Sequence, residues 1–138
     1  MREAFDTLAP FLSALIGLRK CLHEKPELSG TEEHTAEKIR HLFSLYEPDN
    51  IFSGIGAHGI AVVFEGKKPG PTVFRRCELD AVSIQDLNGF QYRSRKPNVS
   101  RVCGHDGDMT IVAALGSILA NEPPCSKLQG IQCQSPLP

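Results

Sequence analysis

Apolar positions in the first third of the chain recur at helical spacing. Leu12, Leu15, Ile16 and Leu22 fall on nearly one helix face, and Arg19 lies within the same run. Pro26 predicts the stop of this helix. Ser29-Gly30-Thr31-Glu32 has capping-box spacing and predicts a second helix reaching about Tyr46, with Ala36, Ile39, Leu42 and Phe43 buried. After Pro48 the period changes. Ile60-Ala61-Val62-Val63-Phe64 reads as a short β-rich run, Lys67 to Pro71 as a turn, and Thr72 to Leu79 as a second strand. Residues 81–102 carry mixed signals and read as loop. Met109, Ile111, Val112, Leu115, Ile118 and Leu119 predict one more helix, ending near Asn121 ahead of Pro123 and Pro124.

This order of elements predicts an α/β layer architecture. Another apolar strand is expected after the last helix, but residues 125–138 offer scattered apolar positions and a proline-rich finish. The pattern therefore predicts an incomplete sheet with flanking helices over residues 1–122 and an irregular tail over 123–138.

Composition adds bounds. With 138 residues, 41% hydrophobic and 22% charged, the chain has an ordinary globular makeup. A net charge of −1 supplies no basic field for nucleic acid or an acidic membrane. The apolar stretch Phe11 to Leu18 is too short to span a bilayer, and the N-terminus has no basic leader region, so a cytoplasmic protein is expected. Five cysteines at irregular spacing then predict thiols rather than a disulfide framework.

Gly54-Ile55-Gly56-Ala57-His58-Gly59 matches the dinucleotide fingerprint in letters only. A strand-like run follows it where a helix would have to receive the pyrophosphate, so it reads as a glycine-rich lead into a strand. Cys103-Gly104-His105-Asp106-Gly107-Asp108 is the most chemically loaded segment. A thiolate and an imidazole two residues apart can converge on one metal, with Gly104 allowing the tight backbone between them. Asp106 or Asp108 is placed to hydrogen-bond a ligand, or equally to cap the following helix. The alternative for Cys103 and His105 is a small buried thiol beside an ordinary loop histidine. Glu78 and Asp80, two apart at the end of the second predicted strand, share a side, and loops at strand ends are where open α/β sheets place their sites.

These segments, in this order, resemble the amidohydrolase subfamily of the aminoacylase and carboxypeptidase group of di-metal peptidases, which includes hippurate hydrolase and auxin-conjugate hydrolases. Leu18 to Ser29 resembles that subfamily's opening R-x-x-L-H-x-x-P-E-L-S. Gly54-Ile55-Gly56, Gly70-Pro71-Thr72-Val73 and Arg76-Cys77-Glu78-Leu79-Asp80-Ala81 resemble its next landmarks, and Cys103 to Gly107 its signature metal segment. The resemblance spans about residues 11 to 122. It implies metal-ligand positions at Cys103 and His105, an orienting acid at Asp80 with Glu78 beside it, a divalent cofactor such as zinc or manganese, and N-acyl or N-aryl amino acids as substrates.

Three positions depart from the subfamily. Asp108 stands where a second histidine is usual, Arg101 where a histidine commonly precedes the cysteine, and Ser83 where a proline is usual. The subfamily continues with a strand, a P-A-E-E segment carrying the general acid/base glutamate, two further metal-binding histidines and a smaller domain used for dimerisation. Here no glutamate follows Glu122 and no histidine follows His105. The resemblance thus implies the N-terminal part of a catalytic domain, ended by a shifted reading frame, an alternative transcript end or a partial gene model. Such a chain is expected to bind metal weakly, to be inactive alone, and to associate through its exposed sheet edge. The alternative is a non-catalytic metal-binding or regulatory fragment that joins a full-length relative.

Overall fold

The computed structural model describes residues 9–121 and the backbone of 131–133. A 3₁₀ turn, Ala9–Phe11, leads into α1, Leu12–Glu24, and then α2, Glu33–Ser44. Strands β1, Asn50–Ile55, and β2, Gly59–Val63, form a hairpin. The short strand β3, Arg75–Cys77, precedes a long loop, then α3, His105–Asn121, and β4, Ile131–Cys133.

The α/β architecture is as the pattern predicts, with several differences at element level. The segment Ser29 to Glu32 forms no capping box: α2 begins at Glu33, and no side chain of its cap residue closes the end. Glu27 does that work from outside the helix. Its Oε2 accepts from the Thr35 backbone N–H and from Thr35 Oγ1, each at 2.7 Å, and its Oε1 accepts more weakly from the His34 N–H at 3.4 Å. A buried carboxylate thus meets the exposed amides and positive dipole end of α2. On α1 the apolar stripe splits. Leu15 and Leu22 are buried, while Leu12 and Ile16 are exposed. The helix turns its Leu15–Leu18–Leu22 side inward, and Leu18 packs on the core in place of Ile16.

The strand expected over Thr72 to Leu79 is only three residues long, and its partner β4 is as short. Strand β1 carries no sequence signal because it is an edge strand with mostly exposed side chains. Gly54 and Gly56 take positive φ in and after it, so the glycine-rich segment makes the hairpin turn, and a strand follows it as expected.

The expectation of no strand after the last helix is corrected by β4. The sheet order is β1-β2-β4-β3, with β4 antiparallel to β2 and parallel to β3. Backbone groups on the facing sides of β2 and β3 need partners, and an extended segment supplies them whatever its side chains. The rest of the expected irregular tail lies outside the described residues.

The core joins Leu22 of α1, Ile39 and Phe43 of α2, Ile60 and Val62 of β2, Leu79 after β3, and Met109 and Val112 of α3. Each such side chain contributes about 1.5–3 kcal/mol on burial. Helices α2 and α3 meet closely at Gly116, where an added Cβ would lie 2.4 Å from Cε1 of the fully buried Phe43. Gly116→Ala is therefore expected to lower stability by about 1–3 kcal/mol. Gly17→Ala, with open space around it in α1, should raise stability by about 0.5–1 kcal/mol through helix propensity. Urea melts followed by circular dichroism check both; equal effects would mean that the Phe43 contact does not decide the Gly116 result.

Candidate metal centre

Cys77 of β3 and Leu79 two residues on are buried, so Asp80 emerges at the edge of the core. Two neighbours hold the backbone there. Ala81 N–H donates to the Glu27 carbonyl at 2.7 Å, and Val82 and Ser100 exchange hydrogen bonds at 2.9 and 3.0 Å. Asp80 thus sits in a short three-segment ribbon built from the opening motif, the strand end and the stretch before Cys103.

On the other side, residues 101–104 turn tightly, with Gly104 N–H donating to the Arg101 carbonyl at 3.0 Å. Gly104 has φ +95°, a conformation that strains any residue with a Cβ. His105 is the first residue of α3. Its Nδ1 lies 3.1 Å from the Asp80 carbonyl oxygen and 3.0 Å from Asp80 Oδ1. Only the carbonyl contact has hydrogen-bond geometry, so Oδ1 is buried without a donor although the ring nitrogen is beside it.

The structure brings Asp80 and His105 together. Cys103 is exposed in the adjoining turn. Asp106 is buried and turns to α1, where its Oδ2 meets Arg19 Nε and His23 Nδ1, each at 3.2 Å. Both contacts of this oxygen are to side chains of α1 rather than to helix-terminal amides. Asp108 is exposed in the first turn of α3, where a negative charge suits the helix dipole. Glu78 is partly exposed and pairs with Arg76 at 3.2 Å. Among the described residues no group of three or more His, Cys, Asp or Glu side chains forms a metal cluster.

Several residues around this pair escape sequence reasoning. His23 is buried between two carboxylates, with Nε2 3.2 Å from Asp86 Oδ2. Burial opposes ionisation of Asp86. Donors from the Ser94 and Asn88 backbone, the Asn88 side chain and His23 outweigh it and lower its pKa to about 2. Arg101, at 1% exposure, sends its guanidinium to the Leu79 carbonyl at 2.5 Å and to Thr35 Oγ1 at 2.8 Å. Burial lowers its pKa, and the nearby charges of Asp106, Glu27, Cys103 and Asp80 oppose that shift. Arg19 and His23 are one helical turn apart in the opening motif, a spacing that places them on one side of α1. Asp86, in a loop, gave no signal.

An open groove of about 740 Å³ lies elsewhere, between the end of α1, α2 and Arg95–Lys96; neither Asp80, Cys103 nor His105 lines it. Cys21, Cys77 and Cys103 are thiols. Among the described residues no helix is long and apolar enough to cross a membrane.

No family model matches the sequence. Individual relatives do. YhaA of Bacillus subtilis (strain 168), provisionally named an amidohydrolase, is 39% identical over 106 residues, covering 76% of this chain and 26% of that protein. The N-acyl-L-amino acid amidohydrolase of Geobacillus stearothermophilus is 31% identical over 106 residues, 77% of this chain and 28% of its own length. The solved structure of the Bacillus subtilis YXEP protein, a dinuclear metal binding peptidase from the M20 family, superimposes with a TM-score of 0.80 at 25% identity, covering 91% of this chain and 34% of that one. The chain thus spans 26% and 28% of the two curated relatives' lengths. Over that span the chain is similar in sequence to amidohydrolases and in fold to dinuclear metal peptidases of the M20 family.

Proposed function

We propose that these residues form part of the metal cradle of an N-acyl-amino-acid amidohydrolase, with Cys103 and His105 as ligands and Asp80 as the acid that orients His105. The observation that carries this reading is the hydrogen-bond contact of His105 Nδ1 with the Asp80 backbone carbonyl, with the Asp80 carboxylate 3.0 Å from the same nitrogen as its charged neighbour. A ring whose Nδ1 donates inward presents the lone pair of Nε2 outward, which is how a metal-binding histidine is usually held. The buried Oδ1 of Asp80, with no donor of its own, fits a site whose charge balance a cation completes. The thiol and imidazole suit zinc, and a carboxylate-rich remainder would also admit manganese.

A divalent ion bound there supplies Lewis acidity toward an amide carbonyl and an activated water. The chain's own contributions are fixed position and charge. Asp80 holds the ring of His105, Gly104 sets the turn that brings Cys103 beside it, and Asp106 anchors the helix start to α1. Glu78 and Asp108 lie at the periphery as outer hydrogen-bond partners. A small N-acyl amino acid is the substrate class. The 138 residues alone bind metal weakly and do not turn over, because the cradle has too few donors.

Cobalt(II) titration tests the site. A thiolate-to-cobalt absorption band is expected in the wild-type chain, weak enough to be reversed by a chelator, and lost in Cys103→Ser. Stoichiometric metal that withstands chelation in both proteins would mean the ligands are wrong.

A second reading is a non-catalytic fragment that pairs with a full-length relative. It is favoured by apolar side chains left at the surface, Val73 and Phe74 before β3 and Phe52 on edge strand β1, each half-exposed or more.

A further inference from the structure

The opening motif remains unused by the ligand pair, yet its polar side chains turn toward it. His23 has 8% side-chain exposure and meets two carboxylates, Asp106 through Nδ1 and Asp86 through Nε2, both at 3.2 Å. Arg19 adds a second contact to the same oxygen of Asp106. Phe90 and Tyr92, stacked with centroids 4.3 Å apart, stand edge-on against the His23 ring at 5.4 and 5.9 Å. Asp106, 1% exposed, follows His105 directly in the chain.

We infer that His23 is a positioning residue for the Cys103–His105 pair. By holding Asp106 and Asp86 at once, it fixes the first turn of α3 between α1 and the loop over residues 86–94. The inference rests on the proposed metal site. Both contacts are hydrogen bonds only when each ring nitrogen carries a proton, and no other neutral or cationic side chain of similar size presents two donors in opposed directions. A glutamine reaches one carboxylate and leaves the other, buried and charged, without this partner. The turn then loses one of its two fixed sides, and the ligand pair loses its preset spacing. Losing an outer partner of this kind typically weakens metal binding about 10–100-fold.

The test uses the whole chain as His23→Gln, with Leu15→Ala as a control that destabilises the same helix without touching the clamp. Asp86→Asn is a milder variant that keeps the His23–Asp106 contact. Two readouts are followed: the cobalt dissociation constant from the thiolate band, and hydrogen exchange at the Gly107 and Asp108 amides, which donate to the Gly104 carbonyl. The expected result is cobalt binding weakened by about tenfold or more in His23→Gln, with faster exchange at those two amides, and smaller shifts in the same direction in Asp86→Asn. Leu15→Ala should leave cobalt binding within about twofold of wild type. Equal behaviour of His23→Gln and Leu15→Ala in either readout overturns the inference. A wild-type chain with no thiolate band removes the metal-site reading and the positioning role with it, whereas a wild-type band that His23→Gln and Asp86→Asn leave unchanged removes the positioning role alone.

Discussion

Arg101→Ala is expected to destabilise the chain by about 3–5 kcal/mol, against a total of about 5–15 kcal/mol for a typical domain. The guanidinium is almost fully enclosed and bridges the Leu79 carbonyl to Thr35 Oγ1, tying the strand end that carries Asp80 to the start of α2. Truncation leaves a cavity, a buried carbonyl without its donor, and the carboxylates of Asp106, Glu27 and Asp80 without the positive charge that faces them. Arg101→Lys should recover little, because one ammonium cannot reproduce a planar fork directed at two partners. Urea unfolding followed by circular dichroism measures the loss. A change under 1 kcal/mol would show that the enclosed guanidinium is not a structural tie. The departure from the usual histidine at this position thus leads into the core.

A polypeptide of these 138 residues is expected to hydrolyse N-acyl amino acids no faster than buffer does. Amide hydrolysis at such a centre needs an activated water, a proton shuttle and a geometry set by several ligands. On the proposed reading the chain offers Cys103, His105 and Asp80, and the described residues hold no cluster of three candidate ligands. General acid/base work alone is typically worth about 10²–10⁴-fold. Glu78 is the one carboxylate near the strand end free of the Asp80 and Asp106 contacts, and it is engaged by Arg76 at 3.2 Å. The check is amine release from hippurate and acetyl-amino acids with zinc or manganese added. Metal-dependent turnover that vanishes in Cys103→Ser would make this a minimal hydrolase and end the incomplete-cradle reading.

The helices, the β2 run and the turn at Gly104 were legible in the sequence, because each is local. Helical periodicity, proline stops and a positive-φ glycine act within a few residues. The ordered motifs also carried the resemblance to amidohydrolases. Tertiary structure alone decided the rest. The capping box at Ser29 yielded to Glu27, because a buried carboxylate arriving from outside reaches more of the helix-terminal amides than a side chain that ends up short of the helix. Strand β1 was silent because an edge strand with exposed sides needs no alternation, and β4 because its place is set by backbone pairing between β2 and β3. The inward turn of Arg101, and the bridge of His23 between Asp86 and Asp106, join residues 22 to 83 positions apart. No periodicity reports such contacts: a buried charge is stable only where several distant partners converge, and that convergence exists only once the chain has folded.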